Sequence, residues 1–134
     1  MKIHSFDGLV DFELGSIEPV TDRPSFLASA LGRSAEVLVE NEPHMTYRIH
    51  PERGIAATVH FEGPKLRTVS FQIELPPRKE EVWSEEHELE RKRLHDEWLQ
   101  DELGMPPYWF PWGRLESNYD SKGCSSAIIV SYAE

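Results

Sequence analysis

The sequence predicts an α+β domain in which a five-stranded, mostly antiparallel sheet carries a short and a long helix on one face. Three observations predict this class: three consecutive segments alternate apolar and polar residues, one highly charged segment has helical start and stop signals, and two strand-like segments flank a turn near the C-terminus. The 134 residues suit one domain. No linker or repeat divides residues 1–134, although residues 1–20 are weakly patterned.

The first predicted helix covers residues 21–32, "TDRPSFLASALG". Thr21 or Asp22 can cap it, and Pro24 suits its first turn. Gly32 is expected to end it. Its apolar side contains Phe26, Leu27, Ala30 and Leu31.

A three-stranded meander is predicted next, from "HMTYRIH" (44–50), "GIAATVHFE" (54–62) and "KLRTVSFQIEL" (65–75). In each segment apolar residues alternate with polar or small ones, which is the pattern of a half-buried strand. The turn segments "PERG" and "EGPK" separate them. The meander should therefore have one apolar face, covered by both helices, and one polar face.

The long helix is predicted to begin at Ser84 and to end at Gly104 and Pro106. Ser84 is a good N-cap, and Glu85 and Glu86 are favourably placed at the positive end of the helix dipole. "WGRLESNY" (112–119) and "SSAIIVSY" (125–132), joined through "DSKG", then predict a final hairpin.

Two apolar stripes are expected on the long helix. At 100° per residue, Trp83, His87, Leu94 and Trp98 fall within about 60° of one another, and Leu89, Leu99 and Leu103 lie nearly opposite. A helix resting on a sheet needs one stripe. The second stripe therefore predicts a further contact, with residues 1–20, with the aromatic residues after the helix or with another chain.

The charge of the chain argues against a nucleic-acid partner. The formal net charge is −10, and residues 80–102 carry ten acidic and three basic side chains, whereas phosphate binding needs a basic surface. Either a solvated helix face or a docking surface for a basic partner explains the acids. No apolar run approaches the roughly 18 residues of a membrane span, and no secretory signal is seen. A cytoplasmic protein is expected.

Neither a metal site nor a cofactor site is predicted. His87-Glu88 matches the start of the HExxH zinc motif, but Arg91 occupies the position of the second histidine. His95 lies eight residues after His87, roughly 12 Å along the axis, too far to share an ion. His87 is expected to pack between two tryptophans. Cys124, the single cysteine, excludes an intramolecular disulfide and is expected to be inert.

The polar face of the meander offers one candidate site. In the expected register His60 lies between Thr46 and Thr68, and Arg48 occupies the next row with Thr58 and Ser70. A histidine and an arginine on an open sheet can bind a small anion or assist acid–base chemistry. A solvated strand face carries the same residue types. No nucleophile-activating triad involving Ser70 can be read from the spacing.

An aromatic cluster, "PPYWFPWG", offers the other candidate site. Tyr108, Trp109, Phe110 and Trp112 lie within five residues. Rigid aromatic side chains are enriched at binding hot spots, but packing against the second stripe of the long helix explains the same residues. Tyr108, Trp109 and Trp112, with Trp98 of the helix, are the candidate protein-binding residues.

Three segments make the chain resemble a family of small uncharacterised bacterial proteins: "FLASALGRSAEVLVENEP", "WSEEHELERKRLHDEWL" and "WGRLESNYDSKGCSSAIIVSY". The resemblance covers most of the chain after residue 24 and implies no established activity or cofactor. The front half is also loosely similar to beta-lactamase-inhibitor-like modules, which carry two short helices before their strands where one is clear here. This second resemblance transfers no residue roles.

The leading hypothesis is a non-catalytic domain that binds another protein, either as an immunity- or inhibitor-like protein for a basic target or by self-association. The rival hypothesis is an enzyme or small-ligand binder that uses the polar sheet face, with His60 as the acid–base group and Arg48 as the anion-binding group. A purely structural domain is a third reading.

Overall fold

The computed structural model describes residues 1–74, 84–123 and 125–133. Predictions that concern Leu75, Trp83 and Cys124 fall outside these residues. Within the described residues the chain forms ten strands and three helices, and the fold is α+β. The elements are β1 (Lys2–Ile3), β2 (Val10–Phe12), β3 (Gly15–Ile17), α1 (Arg23–Ala28), α2 (Ala30–Arg33), β4 (Glu36–Asn41), β5 (His44–Glu52), β6 (Ile55–Glu62), β7 (Lys65–Ile73), α3 (Glu85–Leu103), β8 (Tyr108–Phe110), β9 (Gly113–Asp120) and β10 (Ser125–Tyr132).

The main sheet has seven strands in the order β4-β5-β6-β7-β10-β9-β8, and every neighbouring pair is antiparallel. The prediction of five strands is therefore wrong. The predicted meander and hairpin form the centre of the sheet, because β10 pairs with β7, and one short strand is added at each edge. Every residue of β4 is exposed, so β4 lacks the alternation that marks a half-buried strand. β8 has only three residues.

The meander adopts the register that the sequence predicted. Thr46 pairs with His60, which pairs with Thr68, and the next row joins Arg48, Thr58 and Ser70. This register places the apolar residues of β5, β6 and β7 on the buried face. A shift by one residue would move all of them to the opposite face.

Residues 1–20 form a separate three-stranded antiparallel sheet, in the order β1-β2-β3. Its strands have two or three residues, too few for a periodic pattern to be seen in the sequence. The small sheet packs against the large one: the ring of Phe12 meets that of Phe71 edge-on, with centroids 6.4 Å apart. Its buried apolar residues are Ile3, Val10, Phe12 and Ile17.

The predicted first helix is two short helices, joined at Ser29. Asp22 caps α1 by accepting a hydrogen bond from the Ser25 backbone N–H at 2.8 Å. Ser29 ends α1 and caps α2, since its hydroxyl accepts from the Gly32 N–H. Gly32 lies inside α2, where a Cβ would meet the carbonyl oxygen of Phe26 at 2.0 Å. The close approach of two short helices, rather than a helix end, explains this glycine.

All three helices and the small sheet lie on one face of the large sheet. Phe26 of α1 packs against Phe61, and Trp98 of α3 packs edge-on against Phe71, with centroids 5.4 and 6.0 Å apart. The other face carries the polar residues of β5–β7 and is left uncovered by the described chain. None of the helices in the described residues is long and apolar enough to cross a membrane.

Candidate functional site

The face of α3 that meets the sheet is polar as well as apolar. Its buried residues are Glu88, His95 and Leu99, which are 3%, 0% and 0% exposed and span about 40° of the helix. This face adjoins the second apolar stripe that the sequence predicted and includes its residue Leu99. Leu89, from the same stripe, is 47% exposed. Leu89 is therefore the exposed member of the second stripe, whereas Leu99 is buried and Leu103 packs against the core. The chain's own residues cover most of that stripe, so the stripe does not require a partner.

Glu88 joins α3 to β10 through a buried ionic network. Its two carboxylate oxygens accept hydrogen bonds from Arg91 Nη1 at 2.7 and 2.6 Å, and Oε1 also accepts from the Ser126 backbone N–H at 3.2 Å. The Ser126 hydroxyl donates to the Glu88 backbone carbonyl. A buried carboxylate is tolerated when it is paired in this way. Glu88, which the sequence placed in a partial zinc motif, therefore holds the helix on the sheet.

His95 is the fully buried histidine of the helix. Its Nε2 accepts a hydrogen bond from the Ile73 N–H at 3.0 Å, so Nδ1 carries the proton of the neutral ring. Burial, together with the positive charge of Arg91, lowers the pKa of His95 to about 4. The ring is thus neutral at pH 7 and closed to solvent. We assign it a structural role.

The sequence analysis considered His95 only as a metal ligand and missed its burial against the sheet. One signal was present: His95 stands seven residues after Glu88 and four before Leu99, which places all three on one helix face. Two of the three are polar, so a search for apolar periodicity could not find this face. His87 is half-buried, and its backbone N–H donates to the Ser84 hydroxyl as part of the helix cap. Trp83, its expected packing neighbour, lies outside the described residues.

No group of three or more histidine, cysteine, aspartate or glutamate side chains in the described ranges is arranged to hold a metal ion.

On the open sheet face, His60 is engaged with its neighbours on β5. Its Nδ1 lies 2.9 Å from the Thr46 hydroxyl, and its ring stacks on that of His44 with centroids 5.5 Å apart. Partial burial lowers the pKa of His60, and the nearby His44 lowers it further. No carboxylate within the described chain accepts a hydrogen bond from the ring. The arrangement lacks the acidic partner that would orient a catalytic histidine.

Arg48 lies in the neighbouring row, beside a shallow depression of about 210 Å³ that Thr58 and Ser70 also line. His60 does not line this depression. The structure therefore places the two residues of the rival hypothesis in adjacent rows without bringing them into one site.

Two of the four candidate aromatic residues fasten the fold. Tyr108 is buried, and its hydroxyl donates to the Gly104 carbonyl at the end of α3, at 2.9 Å. Trp112 donates from Nε1 to the Ser5 carbonyl at 2.8 Å. Its ring packs so closely over Gly8 that a Cβ there would lie 2.5 Å away. Trp112 thus ties the first residues of the chain to the β8–β9 turn.

Trp98 and Trp109 differ sharply from each other. Trp98 packs against the core through Phe71, whereas Trp109 is 76% exposed. Met105, four residues before Trp109, is 75% exposed. Two large apolar side chains are thus exposed within five residues of the chain. Of the four tryptophan and tyrosine candidates, Trp109 alone projects from the surface.

Trp109 stands at the rim of a cavity of about 400 Å³ between α3, the segment 106–109 and β9, here called the α3–β8 cavity. Leu99, Tyr108 and Leu115 supply its apolar walls. Asp96 also lines it and is paired with Lys92 Nζ at 2.9 and 3.0 Å. The cavity has both apolar and polar walls, and its volume is that of a binding site for one side chain or small ligand.

Comparison with known proteins gives one kind of match. No family model matches the chain, and no curated protein matches it in sequence. Its fold is similar to a chain of the solved structure described as "Rhs1-CT in complex with cognate immunity protein RhsI1". The TM-score is 0.65 and the identity 15%, and the similarity covers 98% of this chain and 86% of that one.

Proposed function

We propose that this chain is a non-catalytic protein-binding domain of the immunity type, which inhibits a basic protein by binding to it. The observation that carries the proposal is the fold similarity to a chain of the Rhs1-CT complex, over 98% of this chain. That structure is described as a complex with a cognate immunity protein, so its chains are bound to a protein partner.

The charge and chemistry of this chain favour the inhibitory side of such a pair. A formal charge of −10 attracts a basic partner and speeds their encounter. Of the two histidines in α3, His95 is buried and His87 is half-buried, and His60 lacks a carboxylate hydrogen bond within the described chain. These features support an inhibitor more than an enzyme. Membership of the bacterial family that the sequence resembles, and a cytoplasmic location, belong to the same proposal.

The test uses the open reading frames beside the gene for this chain, since a toxin and its inhibitor are encoded together. The C-terminal domain of the neighbouring product is expressed in cells with this chain, with an unrelated protein of similar negative charge, or alone. We expect growth arrest in the last two cultures, rescue by this chain, and a stoichiometric complex on size exclusion with light scattering. Equal arrest in all three cultures, with no complex formed, would refute the proposal.

A further inference from the structure

We propose that the α3–β8 cavity receives an arginine side chain of the protein partner, with Trp109 stacking on its guanidinium group. The inference rests on the proposed function, since it assigns the contact by which that partner is recognised. Three features carry it: the apolar walls, the exposed indole ring at the rim and the uncompensated negative charge at this end of α3.

The walls of the cavity suit the long aliphatic stem of arginine. Leu99 and Leu115 are buried apolar residues, and the Tyr108 hydroxyl is already bonded to the Gly104 carbonyl, so its ring presents an apolar surface. Trp109 has most of its indole surface exposed at the rim. A guanidinium group stacks on an indole face more favourably than an ammonium group does, because it is planar and weakly hydrated.

The electrostatics select a cation. The C-terminal end of a helix carries a partial negative charge, which basic residues in the last turn usually offset. The last turn of α3 has no basic residue and instead carries Asp101 and Glu102. Two carboxylate residues, Asp96 and Glu116, line the cavity against one ammonium group, that of Lys92. The cavity lining therefore carries a net charge of −1, and Arg114, the cross-strand partner of Trp109, lies outside that lining.

A second copy of this chain is a poor occupant, because it brings a further charge of −10 to an acidic surface.

The experiment follows the indole N–H of Trp109 by NMR, assigned with Trp109→Phe, during titration with acetyl-tetra-arginine amide. Tetra-lysine and tetra-glutamate amides are the matched peptides, at 150 mM salt to screen distant charges. We expect a saturable shift with tetra-arginine, binding about threefold weaker with tetra-lysine, and no shift with tetra-glutamate. Asp96→Asn should weaken arginine binding about threefold, because it leaves Lys92 unopposed.

The matched control variant is Val39→Ala. Val39 and Trp109 are the two ends of one row across the open sheet, roughly 29 Å apart by strand spacing, and Val39 is also an exposed apolar residue. This variant should bind tetra-arginine as the wild type does. The row runs Val39, Thr46, His60, Thr68, Ser131, Arg114 and Trp109.

Four results would overturn the inference. The first is an indole N–H signal that does not shift with tetra-arginine, and the second is a shift that is equal for arginine and lysine peptides and unchanged by Asp96→Asn. The third is a co-purified small molecule that blocks the titration. The fourth is a dimer of this chain that Trp109→Ala dissociates. The last two would name a small ligand or a second copy as the occupant. If this chain neutralises the toxin encoded beside it but the Trp109 indole N–H does not shift, the cavity inference is refuted and the proposed function is not. If the indole shifts and the toxin is not neutralised, the proposed function fails instead.

Discussion

Helix α3 and the segment that follows it differ in which side chains they bury: the helix buries polar side chains, and the segment after it exposes apolar ones. From its first turns to its middle, α3 carries charged or titratable side chains that lie against the sheet and hold the helix there: Glu88, Arg91 and His95. Beyond its end, Met105 and Trp109 are large apolar side chains that project into solvent. The polar side chains are structural, and the exposed apolar end is available for binding. Residue type alone would suggest a functional role for the polar side chains and a core position for the apolar ones. Burial and hydrogen bonding show which side chains are structural.

The largest effect is expected from Glu88→Ala. The substitution leaves the Arg91 guanidinium without its carboxylate and the Ser126 N–H without an acceptor, which should lower the free energy of unfolding by about 3 kcal/mol. Urea denaturation measures it. Glu86→Ala, an exposed glutamate of the same helical turn, is the control and should cost less than about 1 kcal/mol. Equal stability of the two variants would show that the network is not structural.

Trp98→Ala should come next. It removes the edge-on contact with Phe71 and a half-buried indole ring, so we expect a loss of about 2 kcal/mol in the free energy of unfolding. Thermal and urea denaturation would both report this change. A variant as stable as the wild type would mean that α3 does not depend on this contact.

His95 should make stability depend on pH between about 6.5 and 4. The folded-state pKa is about 4, so as pH falls below 6.5 the unfolded chain takes up this proton first and stability is lost. Between pH 7 and pH 5 the loss should be about 2 kcal/mol. His95→Gln, whose amide oxygen can still accept from Ile73, should lose that much less over the same interval. If the urea midpoints of the wild type and of His95→Gln fell equally between pH 7 and pH 5, His95 would not be a buried, neutral histidine.

Trp109→Ala should have the smallest effect on stability, under about 0.5 kcal/mol, because the side chain is largely exposed. The contrast with Trp98→Ala sharpens the comparison, since both variants remove an indole. A loss as large as that of Trp98→Ala would place Trp109 in the core and remove it from the binding surface.

The meander could be predicted from the sequence because β5, β6 and β7 each bury one side and expose the other, which fixes both their alternation and their register. The two edge strands could not. β4 is exposed throughout and bulged between Val37 and Val39, and β8 is too short to show a period. The strands of residues 1–20 were missed for the same reason as β8.

The candidate site was predictable only in part. The cluster of aromatic residues drew attention to a segment that lines the α3–β8 cavity, but composition alone does not distinguish Tyr108, Trp109 and Trp112. Their surroundings distinguish them: Tyr108 donates to the Gly104 carbonyl, Trp109 is exposed to solvent, and Trp112 donates to the Ser5 carbonyl. Those contacts join residues up to 107 positions apart, and no local pattern encodes them.

The most direct test of protein binding through the exposed end is acrylamide quenching of Trp109 fluorescence. Its contribution is obtained as the difference between the wild type and Trp109→Phe, with and without the neighbouring toxin domain. We predict that the quenching constant of Trp109 falls at least about twofold when the complex forms, because the partner covers an indole that is 76% exposed in the free chain. A complex in which Trp109 remains as quenchable as before would contradict the account.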